Sequence, residues 1–154
     1  MTTELFLTAL AVTTIITGAL AASVDWRSHR VPNSLVAWAM APVVLAVVVD
    51  DAPIRRLCSV AVGTGLMALP LLLIHLVAPG AMGFGDVKLA AVLGAALGVL
   101  APVLAIPALA TATTLTLVVA ACTRRVAVPF APGLVAGVAA ALALGTFEGW
   151  KAAA

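Results

Sequence analysis

Long apolar runs follow one another almost without interruption along this chain, and polar positions gather into a few short gaps between them. A helix needs roughly 20 residues to cross a hydrocarbon layer, and most of the runs approach that length. Breakers and charges predict six helices, at about 5–24, 34–49, 57–78, 87–100, 103–122 and 133–147. Pro32, Pro53, Pro79, Pro102, Pro129 and Pro132 fall between them, where a missing N–H costs least. Pro42, Pro70 and Pro107 fall inside and are expected to kink their helices, which membrane helices tolerate. The tract from Val87 to Cys122 is too long for one crossing and short for two. Splitting it at Ala101–Pro102 leaves a short fourth helix whose first turn, with Asp86, lies below the membrane surface. Five spans with a re-entrant segment are the alternative.

Composition fixes the class. The 154 residues are 64% hydrophobic and 9% charged, against about half and a quarter for soluble domains. The expectation is an all-α integral membrane protein, one compact bundle of about six helices forming a single domain over residues 1–154. The N-terminal run has Glu4 and no Lys or Arg before Arg27, so it reads as a retained helix rather than a signal peptide. The net charge of +2 comes with no basic tract or aromatic-basic stripe, which argues against nucleic acid. Cys58 and Cys122 lie in apolar runs without CxxC spacing and read as packing residues, not a disulfide or metal pair.

The charges divide between two faces. Arg27, Arg30, Lys88, Arg124 and Arg125 fall on one side of a six-span arrangement. Arg55, Arg56 and Lys151 fall on the other, with Glu4, Asp50, Asp51 and Glu148. The positive-inside bias puts the first group in the cytoplasm and the N-terminus outside. Asp25 and Asp86 then share the cytoplasmic side. Gly94 with Gly98 and Gly133 with Gly137 form small-xxx-small pairs suited to close helix packing.

Ionisable groups at a membrane boundary are costly and mark chemistry. Asp25 opens Asp25-Trp26-Arg27-Ser28-His29-Arg30-Val31-Pro32-Asn33, and Asp86 closes Gly83-Phe84-Gly85-Asp86 before Val87-Lys88. Taken singly, each has a plain reading. Asp86 caps a helix after a glycine turn whose residues take conformations closed to others. Asp25 pairs with the arginines behind it, and Pro32 holds Val31 extended before Asn33 or Ser34 caps the next helix. Taken together they are a carboxylate pair. Two adjacent carboxylates cannot both ionise easily, so one keeps a proton. The charged member can take a proton from an attacking water while the other donates to the carbonyl oxygen, as peptide hydrolysis requires. His75 reads as a packed or hydrogen-bonded helix residue and His29 as solvated. No HExxH or His/Cys cluster is present, which argues against a zinc protease and leaves the metal and cofactor expectation at none.

These motifs resemble those of the type IV prepilin peptidases, the GxGD-class membrane aspartic proteases of bacteria, and of their archaeal preflagellin-processing relatives. The resemblance rests on Asp25-x-Arg27-x-x-Arg30-Val31-Pro32-Asn33, on Met82-Gly83-Phe84-Gly85-Asp86-Val87-Lys88-Leu89, and on Val128-Pro129-Phe130-Ala131-Pro132, where the family usually has Pro-Phe-Gly-Pro. It implies leader removal from prepilin or pseudopilin precursors at the cytoplasmic face of the inner membrane. Asp25 and Asp86 would be catalytic. Arg27, Arg30, Pro32, Asn33, Gly83, Gly85, Lys88, Pro129 and Pro132 would shape the site or meet substrate. The cysteine-bearing region that longer members carry for N-methylation does not precede the first helix, so peptidase activity alone is expected, as in the short forms of tight-adherence systems. The lipid bilayer and the precursor are the expected partners. Competing readings are a small proton- or cation-coupled transporter component using the same aspartates, and a catalytically silent secretion scaffold.

Overall fold

The computed structural model describes residues 6, 9–10, 12–14, 16–20, 23, 33–80, 82–123 and 130–145. Among them the chain is helical and contains no strand. The described residues between positions 6 and 23 are all helical and form α1. There follow α2 (Asn33–Val49), α3 (Pro53–Val77), α4 (Phe84–Leu100), a short 3-10 turn (Pro102–Leu104), α5 (Ala105–Thr123) and α6 (Ala131–Gly145).

The predicted break at Ala101–Pro102 is present. Ala101 leaves helical geometry as the C-cap of α4, and Pro102 opens the 3-10 turn. Three helices begin two or more residues earlier than predicted. Pro53 supplies the first residue of α3, Pro132 the second residue of α6, and Phe84 starts α4 three residues ahead of Val87. Proline is at home in a first turn, whose N–H groups have no partner within the helix. Pro42 and Pro70 lie inside α2 and α3 as expected. Pro107, expected as an interior kink, falls in the first turn of α5.

α4 is the central helix. Twelve of its seventeen residues are buried, including Asp86 and the run from Val92 to Val99. α3 packs antiparallel against it through glycine. A β-carbon on Gly63 would come within 2.8 Å of the Gly98 backbone, and one on Gly98 within 2.6 Å of Ser59 and Val60. α5 and α6 repeat the device, with Gly133 against Thr116 and Gly137 against Ala108 and Ala112. Both predicted small-residue pairs therefore sit at helix contacts. Close approach of backbones substitutes for a hydrophobic drive that lipid does not supply.

The outer surface is apolar. Val77 is 87% exposed and Trp38 73%, with Val48 and Leu117 similarly uncovered. α3 and the segment Pro102–Thr123 are long and apolar enough to cross a membrane; α2 from Val36 and α6 are shorter apolar helices. α3 buries only Val60, Gly63, Met67 and Leu71 along 25 residues. Cys58 and Cys122 are free and exposed, not packed as expected, because each lies on an outward face.

The two charged ends are distinct. At one end Arg56 donates through Nε to Asp50 Oδ2 and through Nη1 to the Val99 carbonyl, both at 2.6 Å, satisfying the last turn of α4. Ser59 Oγ donates to the Gly98 carbonyl at 2.7 Å beside it. Lys88 lies at the opposite end of α4, as the charge pattern predicted.

Candidate active site

Asp86 occupies the third position of α4, not the cap. Gly83 is the N-cap residue, extended at φ −72° and ψ 142°, and Phe84 and Gly85 already belong to the helix. The expectation of unusual glycine geometry is thus corrected: Gly83 is ordinary extended backbone and Gly85 is helical. The absence of a side chain at Gly83 keeps the ground beside the carboxylate clear, since a β-carbon there would stand 3.7 Å from Asp86 Oδ2. The Asp86 N–H donates to the Gly83 carbonyl at 3.1 Å. The carboxylate also lies where the exposed N–H groups of the first turn favour negative charge. It is 9% exposed, next to the buried Val87 and Leu89.

Around this turn the ends of three helices meet. Lys88, two residues on, donates from Nζ to Asn33 Oδ1 at 2.8 Å, joining α4 to the first residue of α2. Asn33 or Ser34 was expected to cap α2; Asn33 is the helix's first residue, and its oxygen accepts from lysine. Lys88 Nζ also stands 5.2 Å from the Phe84 ring centroid, in cation–π range. The Phe84 ring lies 5.4 Å from the ring of His75, tilted by 45°. His75, near the end of α3, is 2.9 Å through Nδ1 from the Met82 carbonyl. A carbonyl only accepts, so Nδ1 carries the hydrogen. His75 is a hydrogen-bonded helix residue, as its sequence setting suggested.

The third motif approaches the same core. Ala131, fully buried at the start of α6, belongs to the cluster that holds Val87 and Leu89, with Val36, Met82 and Phe130 packed against it. Pro132 follows in the first turn of α6, and the Leu134 N–H donates to the Phe130 carbonyl at 3.1 Å. Asp25, Arg27, Arg30, Pro32 and Pro129 lie outside the described residues, as does His29. Of the predicted site residues, Asn33, Gly83, Gly85, Asp86 and Lys88 are brought to one end of the bundle. Sequence reasoning did not single out Phe84, Met82 or the His75 contact. The available signal was an aromatic between two glycines, which no periodicity explains.

With this geometry in place, residues 11–123 match the type IV leader peptidase family. No curated protein and no solved structure matches the chain.

Proposed function

The chain belongs to the type IV leader peptidase family, and from that premise we propose a membrane aspartic endopeptidase that removes the leader from prepilin-type precursors. Asp25 and Asp86 are its catalytic pair, and its helices cross the inner membrane with the site facing the cytoplasm. The observation that carries this reading is the hydrogen bond between Lys88 and Asn33. Asn33 closes the motif that Asp25 opens, and Lys88 stands two residues beyond Asp86, so the two motifs meet through their own residues.

A second relationship supports the pairing. Gly18 lies against Leu93. Leu10 shares a cluster with Ala95, Ala96 and Val99, nearer the far end of α4, so α1 runs opposite to α4. Asp25 follows Gly18 by seven residues, and Asp86 precedes Leu93 by seven. Each aspartate is thus the same number of residues from that contact, one C-terminal to it and the other N-terminal.

In the proposed reaction one carboxylate is charged and the other protonated. The charged one takes a proton as water adds to the scissile carbonyl carbon, and the protonated one donates to the carbonyl oxygen. Collapse of the tetrahedral adduct breaks the C–N bond and delivers a proton to the leaving amine. Water ends divided between the two products, and the pair regains its single proton. Lys88, Asn33, Gly83 and Gly85 shape the site around Asp86; Arg27, Arg30, Pro32, Pro129 and Pro132 do so from the neighbouring segments.

The test is cleavage of a precursor carrying a short basic leader, a glycine and an apolar helix. Asp25→Asn and Asp86→Asn are each expected to abolish cleavage while inserting normally. Undiminished cleavage by either variant removes the assignment.

A further inference from the structure

We infer that His75 is a positioning residue for Asp86, fastening the turn from which α4 presents its carboxylate. The inference rests on the peptidase reading of that carboxylate. His75 belongs to none of the three motifs, yet from α3 it hydrogen-bonds the second one. Its Nδ1–H donates to the Met82 carbonyl at 2.9 Å. Met82 is bonded to Gly83, whose carbonyl in turn accepts the Asp86 N–H at 3.1 Å. Two successive carbonyls are thus fixed, one by a side chain from the preceding helix and one by the aspartate's own amide.

The ring contributes as well as the donor. It packs 5.4 Å from Phe84, the helical residue between Gly83 and Gly85. Phe84 is 48% exposed, and its ring lies against His75 of α3 and Lys88 of its own helix. The chain of contacts from His75 through Phe84 and Lys88 to Asn33 ties α3, α4 and α2 together beside the carboxylate. A displacement of about 1 Å in a reacting group is enough to cost a large rate factor. Gly83 and Gly85 have no side chains to hold the turn, and an external fastener answers that need.

This role differs from proton relay in a way experiment can separate. Donation from Nδ1 to a carbonyl survives whether or not Nε2 is protonated, so it needs a donor and not a titrating ring. An asparagine amide places an N–H where Nδ1–H stood; phenylalanine keeps the ring and loses the donor. In the full chain, with the precursor described above, His75→Phe is expected to lower kcat about tenfold, as one lost hydrogen bond allows, with KM within about twofold. His75→Asn is expected to recover most of that loss and to keep the parental pH profile of kcat. A parental kcat in His75→Phe, no recovery in His75→Asn, or a displaced limb of its pH profile would each overturn the role. Nitrogen-15 spectra of the unmodified protein are expected to show hydrogen on Nδ1, and the opposite neutral tautomer would count against it even if the variants fail to accumulate. Asp86→Asn run alongside distinguishes the failures. An active Asp86→Asn removes the peptidase reading and this inference together, whereas an inactive one beside a parental His75→Phe removes the inference alone.

Discussion

Lys88 Nζ lies 2.8 Å from Asn33 Oδ1, across 55 residues of sequence. Each residue belongs to one of the two aspartate motifs, so the contact joins segments that share no periodicity and no neighbouring position. The lysine is held by both of its neighbours: its charge faces the Asn33 oxygen and stands over the Phe84 ring. A short amide at the start of α2 and a long flexible amine on α4 are suited to bridging two parallel helix starts.

Asn33→Ala and Lys88→Met should therefore fall together. Each is expected to lose about 1 kcal/mol of stability, and the double variant to lose little more than either alone. A double-mutant cycle on thermal unfolding in detergent measures the coupling. Additive losses would mean that the hydrogen bond carries no energy of its own.

The glycines of α3 make a sharper contrast. A methyl at Gly63 would press into the Gly94 and Gly98 backbones, whereas a methyl at Gly65 meets nothing within 4 Å. Gly63→Ala is expected to cost about 1–3 kcal/mol through overpacking. Gly65→Ala is expected to be neutral or to gain about 0.5–1 kcal/mol, the ordinary advantage of alanine inside a helix. Unfolding midpoints of the two single variants decide it, and equal losses would refute the close α3–α4 contact.

Much of this was legible in the chain because breakers and charges punctuate it. The Ala101–Pro102 break, the two small-residue pairs and the opposite placement of Lys88 from Arg55 and Arg56 all follow from residues visible in one dimension. Helix starts were misjudged where Pro53 and Phe84 begin helices that a rule based on apolar runs starts later. Which helix lies at the centre could not be read. In a bundle with an apolar exterior, α4 is about as hydrophobic as the helices around it, so no amphipathic stripe announces its buried face. The outward faces of Cys58 and Cys122 were hidden for the same reason. Within the site, Asn33 and Lys88 were named but their pairing was not, since only the fold sets which helix starts are adjacent.

Acid should weaken the end of the molecule remote from Asp86. The Ala52 N–H donates to Asp50 Oδ1 at 2.8 Å and Arg56 to Oδ2 at 2.6 Å. First the Ala52 bond and then Arg56 hold the Asp50 carboxyl below its ordinary value of 3.8. A lowered folded-state value means the contribution is complete above the unfolded value and is lost as pH falls through the folded one. At about pH 7, Asp50→Asn is expected to unfold at a lower temperature than the parent, and the gap to narrow below about pH 4. Unfolding curves recorded against pH test this, and a gap that stays constant into strong acid would contradict it.

The proposed topology makes the last prediction. α2 runs from Asn33 at the Asp86 end to Val49 beside Asp50. Its 17 residues span about 25 Å, close to the roughly 30 Å hydrocarbon thickness. Ser34 and Asp51 are both exposed and flank this span. With Cys58 and Cys122 replaced by serine, Asp51→Cys is expected to react with an impermeant maleimide in intact cells. Ser34→Cys is expected to react only once the membrane is opened. The positive-inside bias sets this sense, because the Asp86 end carries Lys88 and is proposed to carry Arg27 and Arg30 beside it. Labelling of both positions from one side would show that α2 does not cross, and the site would lose its place at the cytoplasmic surface. Labelling in the reversed sense would keep the crossing and turn the aspartates away from cytoplasmic precursors.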